Sequence, residues 1–180
     1  MRIHILGASA SGVTTLGKEL SRKLDMAYFD SDDFYWEKTE IPYSIKIDPK
    51  VRDRVVLERL SGMDHWVLGG SIISWHQDIH QLFDLIVFLH IPQSIRLARL
   101  KARELNRYGH KIETDPFWKD KFDTFFAWAR DYDEVKGIAT RNIKTHQSWL
   151  GRQTADIVNL IGDLTVEEKI DRVMDRIAHK

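Results

Sequence analysis

A β-branched run, Arg2 to Leu6, stops abruptly at Gly7, and an amphipathic helix begins at Thr14, with Leu16, Leu20 and Leu24 on one face. The linking stretch is Gly7-Ala8-Ser9-Ala10-Ser11-Gly12-Val13-Thr14-Thr15. Two glycines let the backbone curl so that successive N–H groups point inward at an anion. The start of the following helix adds its partial positive charge. A glycine-rich strand-to-helix turn with no ligand has the same composition. The position of this loop, after the first strand and opening a helix, favours a phosphate cradle.

Strands and helices alternate along the rest of the chain. Ala27 to Phe29 reads as a second strand, broken by Asp30, Asp32 and Asp33, and Asp48-Pro49 opens a helix with Val51, Val55, Val56 and Leu60 on one face. His65 to Leu68 is a third strand, ending in Gly69-Gly70, and Leu85 to Ile91 a fourth, followed by a helix from Pro92. Residues 117 to 150 read as one or two helices joined near Gly137; Asp156 to Ile161 is the last strand, and Thr165 with Glu168 forms a capping box for a final helix through Ile177. Near-continuous apolar strands separated by helices predict an α/β fold, a parallel five-stranded sheet covered on both faces. Ligands in such sheets bind at the carboxyl ends of the strands, where each of these loops emerges.

Composition narrows the function. The chain has 180 residues, 27 basic and 27 acidic, and no cysteine. Balanced charge predicts no nucleic-acid partner, and zero cysteines exclude disulfides and thiolate metal sites. No apolar run approaches the ~20 residues that span a bilayer. The expectation is a cytoplasmic protein of one domain, residues 1–180, with no membrane association, acting as a monomer or homodimer.

The loop fits the Walker A frame G-x-x-x-x-G-K-[ST] at every defined position except the lysine, which is Val13. With the element order, it resembles the P-loop nucleotide and metabolite kinases related to adenylate, shikimate and gluconate kinases. That resemblance implies ATP and Mg²⁺ as cofactors and a small-molecule acceptor of the γ-phosphoryl group. It implies nucleotide contacts along residues 7–15, with Thr14 as a metal ligand. The loop lysine of such kinases contacts the β- and γ-phosphates; Val13 removes that contact, and Lys18 lies a turn too late to replace it.

Other segments extend the resemblance. Asp30-x-Asp32 looks like the D-x-D of shikimate-type kinases, which implies Asp30 as a metal ligand and Asp30 or Asp32 as general base. A helix-capping turn is the alternative use of these residues. Gly69 stands where nucleoside monophosphate kinases carry an aspartate. Arg99, Arg103 and Arg107, each four apart, share one helix face. Arg99 and Arg103 match the arginines that lead into the adenylate-kinase lid and are the expected charge-neutralising pair; a solvated basic face is the alternative. Residues 108–150 are the expected lid, its aromatics Phe117, Trp118, Phe122, Phe125, Phe126 and Trp128 read mainly as core packing. Arg130 and Arg141 are candidate closing arginines, and Arg152 a candidate for stacking on a base. Lys50, Arg52, Arg54 and Arg59 face either an anionic acceptor or solvent. His76 and His80 have helical spacing but lack the glutamate of H-E-x-x-H and a third ligand. Val13 and Gly69 together leave a second function open: a nucleotide-binding module with little catalysis, or a slow NTPase.

Overall fold

Five strands, β1 (Arg2–Gly7), β2 (Ala27–Asp30), β3 (Trp66–Gly69), β4 (Leu85–His90) and β5 (Asp156–Ile161), pair in parallel in the order β2-β3-β1-β4-β5. The computed structural model describes residues 1–179. Alternate residues of the strands supply two cores. Ile3, Ile5, Leu85, Val87 and Leu89 point to one face, where they meet Leu16 and Leu20 of helix α1 (Val13–Leu24) and Val173 of α9 (Val166–Ala178). Leu6, Ile86 and Phe88 point to the other, packing with Val56 and Leu60 of α3 (Pro49–Ser61) and Trp149 of α8 (Ile143–Leu150). Burial on both faces explains why β4 reads as an unbroken apolar run.

Between these elements lie α2 (Ser31–Tyr35), α4 (Gln77–His80), α5 (Gln93–Tyr108), α6 (Lys111–Thr114) and α7 (Pro116–Glu134). Two details depart from the sequence reading, while the expected join near Gly137 is present. The buried stripe of α3 is Arg52, Val56 and Leu60, whereas Val51 and Val55 are exposed. Arg52 is accommodated among apolar neighbours by pairing with Asp53 at 2.7 Å and lying over the Trp75 ring at 4.6 Å. A short helix, α6, lies between the helix from Pro92 and residue 117, where the sequence reading places no element. Gly137, at φ 99°, sits in the turn between α7 and α8; Asp131 organises that turn by accepting backbone N–H groups of Lys136, Ile138 and Ala139 at 2.7–2.8 Å.

Candidate functional site

The loop after β1 owes its shape to its two glycines, for different reasons. A Cβ at Gly7 would lie 2.6 Å from Ser11 Oγ and 2.7 Å from the Leu89 carbonyl oxygen, so any side chain is excluded by contact. Gly12 has open space around it but a φ of 94°, so there the conformation is what selects glycine. Ala10 also takes a positive φ, 62°. Gly12 offers no side-chain cap to α1, whereas α8 and α9 both carry full capping boxes. The first N–H groups of α1 are thus left for a ligand. The Ser11 hydroxyl is buried with no partner among the described residues. An anion held by the loop resolves both deficits.

Two carboxylates stand at the mouth of the loop. Asp30 uses both oxygens: Oδ1 caps α2 by accepting the Asp32 N–H, and Oδ2 accepts the hydroxyls of Thr14 and Tyr28, each at 3.1 Å. Capping and the placement beside Thr14 are therefore both real. Thr14 and Asp30 together offer a hard cation two oxygen ligands, with ligand oxygens to complete the set. The Asp32 carboxyl opens to the cleft between close walls; these walls and neighbouring Asp30 raise its pKa, against the pull of Arg141 and Trp36.

The lysine position is filled with packing. Val13 lies against the end of β3, where a Cβ at Gly69 would come within 3.1 Å of Val13 Cγ1 and 2.4 Å of the Tyr28 hydroxyl. Tyr28 thus occupies the space a carboxylate at 69 would need. Its ring in turn covers Gly17, whose Cβ would approach Tyr28 Cε2 to 2.3 Å. Burial and the adjacent Asp30 raise the Tyr28 pKa, which keeps the phenol protonated and donating.

These groups share a cleft of about 1120 Å³, lined by residues 7–16, Asp30, Asp32, Ser71, Arg99, Arg103, Arg107 and Arg141. All three arginines of the α5 face reach it. Arg99 pairs with Asp163 at 2.6 Å and Arg103 with Glu104 at 3.0 Å. Trp118, Phe122, Phe125 and Trp128 of α7 line the cleft too. They are only partly buried, so their expected role in core packing is corrected: the core is closed by the sheet helices, and α7 turns its aromatic side to the cavity. Arg141 lies over the Trp128 and Tyr35 rings at 5.5 and 5.7 Å. Lys18 does not line the cleft. Nor does Arg130, which sits over Phe126, or Arg152, which donates to Ser148 Oγ at 2.8 Å. The basic residues of α3 also face elsewhere; Arg59 lies over Phe29. His76 caps α4, and the His80 ring meets the Ile72 carbonyl oxygen and the Trp149 indole N–H.

Several residues in and behind the cleft are not assigned a role by the sequence reading. Arg96, 1% exposed, donates to the Ser9 carbonyl oxygen at 3.1 Å and pairs with Asp133, tying the loop to α7. His146 is fully buried between Ser71 Oγ and the Tyr132 hydroxyl, each at 2.9 Å. Burial, then Arg141, pushes its pKa down to about 4, so the ring is neutral at pH 7. One tautomer leaves no buried group unpaired: Tyr132 O–H donates to Nδ1 and Nε2–H donates to Ser71 Oγ. The Ser71 O–H is then free to donate into the cleft. No local pattern announces this chain, because Ser71 and His146 are 75 positions apart. Arg96 did carry a signal: it follows Pro92 by one helical turn, just beyond β4.

Comparison with known proteins bears on the fold and the family. No protein-family model matches the chain. It is 36% identical over 181 residues to the uncharacterized protein YqaC of Bacillus subtilis, covering 98% of this chain and 97% of that one. It is 30% identical over 124 residues to the shikimate kinase of Caldicellulosiruptor bescii, covering 61% of this chain and 72% of the relative. The chain belongs to the P-loop nucleotide and metabolite kinase superfamily. Among solved structures, deoxyadenosine kinase from M. mycoides with bound dATP superposes with a TM-score of 0.60 over 99% of this chain and all of the other, at 14% identity. The fold of this P-loop kinase-like protein is therefore shared well beyond recognisable sequence similarity. Among the described residues, no helix is long and apolar enough to cross a membrane.

Proposed function

We propose that the protein transfers the γ-phosphoryl group of Mg–ATP to a hydroxyl of a small acceptor. The observation that carries this reading is the 3.1 Å contact between Thr14 Oγ1, at the mouth of the phosphate loop, and the Asp30 carboxylate, with Asp32 two residues on. A simple anion site has no use for carboxylates so close to the bound charge. A phosphoryl transferase uses them for a cation and for the acceptor proton.

The sheet order divides the cleft. Asp30, Asp32, Ser71 and Arg141 lie towards β2 and β3, the acceptor half; Arg99, Leu164 and Thr165 lie towards β4 and β5, the nucleotide half. The acceptor hydroxyl attacks the γ-phosphorus, its proton passes to the Asp32 carboxylate, the bond to the β–γ bridging oxygen breaks, and ADP leaves. Thr14 and Asp30 would hold Mg²⁺ together with the triphosphate, and the ion would supply charge neutralisation there. Arg99 and Arg103 are positioned to offset charge on the transferred group once they exchange their carboxylates for it. The Ser71 O–H and Arg141 orient the acceptor, and the α7 aromatics keep water away from the transfer.

A second reading, nucleotide binding with little or no catalysis, is favoured by one specific observation: Val13, Gly69 and Tyr28 pack into a single plug where a loop lysine and a second carboxylate would act. ADP production from Mg–ATP against a panel of hydroxy acids, sugars and nucleosides, beside direct ATP titration, separates the two. Acceptor-stimulated ADP release supports transfer. Tight ATP binding with no stimulated release by any acceptor supports the binding module.

A further inference from the structure

A kinase-type loop without its lysine lacks a cation at the phosphates, and the nucleotide half of the cleft holds a buried lysine with no assigned task. Lys169 lies in the second turn of α9, 5% exposed, on the nucleotide half of the cleft beside Thr165 and Arg99. Its stem is covered, and its ammonium makes no hydrogen bond or ion pair with any described residue. Both nearby carboxylates are engaged elsewhere. Asp163 pairs with Arg99 Nη2 at 2.6 Å, and Glu168 accepts the Thr165 N–H at 2.7 Å in the capping box.

The surroundings are unfavourable for a positive charge. Burial lowers the Lys169 pKa first, and neighbouring Arg99 lowers it further, against Asp163 and Glu168. An ammonium and a guanidinium thus share one wall of the cleft, and both nearby carboxylates, Asp163 and Glu168, already have other partners. Folding alone does not account for that placement, since a surface lysine would shed the desolvation by turning outward. A bound anion does account for it, because it pairs the ammonium and reverses the repulsion from Arg99. The anionic part of a nucleotide is its phosphate chain.

We propose that Lys169 contacts a phosphate of the bound nucleotide and supplies from α9 the cation that Val13 removes from the loop. This rests on the nucleotide-binding reading above. It makes Lys169 a binding residue reaching the phosphates from the β5 side of the cleft, whereas a loop lysine reaches them from β1. Arg99 is then released from its opposition to Lys169, and both can engage the same ligand.

The test is calorimetric titration of the intact protein and of Lys169→Met and Lys169→Arg with Mg–ATP, Mg–ADP and adenosine. Met keeps the buried stem and removes the charge; Arg keeps the charge. Loss of a charge-assisted contact weakens ATP and ADP binding by roughly tenfold or more in Lys169→Met. Adenosine binding stays within about twofold of wild type, and Lys169→Arg retains most of the ATP affinity. Unchanged ATP binding in Lys169→Met overturns the inference, as does equal weakening of ATP and adenosine, which marks a base contact or a packing role. Should Lys169→Met fail to fold by circular dichroism, a folded Lys169→Gln takes its place: a roughly tenfold or greater loss of ATP affinity supports the inference, and unchanged affinity overturns it. Failure of the native chain to bind Mg–ATP would instead remove the nucleotide reading itself.

Discussion

At the scale of single residues, the central pair is Asp30 and Asp32. Asp30 accepts three hydrogen bonds and stands at the proposed cation site, so Asp32 is the carboxylate proposed to take the proton. Asp32→Asn should lower kcat by about 10²–10⁴-fold with ATP affinity little changed, read from steady-state kinetics beside titration. A base must be ionised to act. Because burial and Asp30 raise the Asp32 pKa, the acidic limb of the native rate profile should lie above the ordinary carboxylate range, with activity rising as pH climbs through it. The residue scale also explains why Val13 and Gly69 occur together. Tyr28 fills the space beyond Gly69 and donates to Asp30, and Val13 packs against the same strand end. The two departures from the kinase pattern form one packed unit.

At the scale of elements, the phosphate loop is braced from outside. Arg96 of α5 holds the Ser9 carbonyl oxygen and pairs with Asp133 of α7, with its guanidinium 5.2 Å from the Tyr132 ring centre. Arg96→Met leaves Asp133 without its cation and should cost on the order of 3 kcal/mol in urea unfolding, with weaker nucleotide binding as the loop loses its brace. Element identity was largely legible in the sequence. The β5 strand has the predicted bounds, and the Thr165–Glu168 capping box forms as expected, because strand periodicity and capping are local. What was not legible depends on partners distant in the chain. Val51 and Val55 share the aliphatic pattern of Val56, yet Arg52 takes the buried position because Trp75 and Asp53 receive it. The aromatics of α7 match a core helix in composition, and only the tertiary position of α7 turns them to the cleft. The loop and its carboxylates lie close together in the sequence and could be found by motif; the Ser71–His146–Tyr132 chain and Lys169 could not.

At the scale of the whole molecule, one face of the sheet, the side that carries Phe83, Phe88 and Trp149, conceals chemistry that ties stability to pH. His4, fully buried and stacked on Phe83 at 4.7 Å, has its pKa pushed down to about 3 by burial, and His146 lies at about 4. Both are neutral when folded and bind protons more readily when unfolded, so their contribution is complete above pH 6.5 and is lost as pH falls towards 4. Thermal melts should show stability dropping over that window, by up to about 1.4 kcal/mol per pH unit for each histidine. His146→Gln should flatten part of the slope, whereas a slope unchanged in that variant would assign the loss to other groups.

The same architecture gathers the proposed cation site, acceptor half and nucleotide half along one edge of the sheet, and the proposed function is transfer between the halves. Phosphorus NMR of the protein with Mg–ATP and the acceptor panel follows the γ-phosphate directly. The expected result is a new phosphate monoester signal that grows with ADP for at least one acceptor. A γ-phosphate that stays in ATP, or appears only as inorganic phosphate with every acceptor, would contradict it.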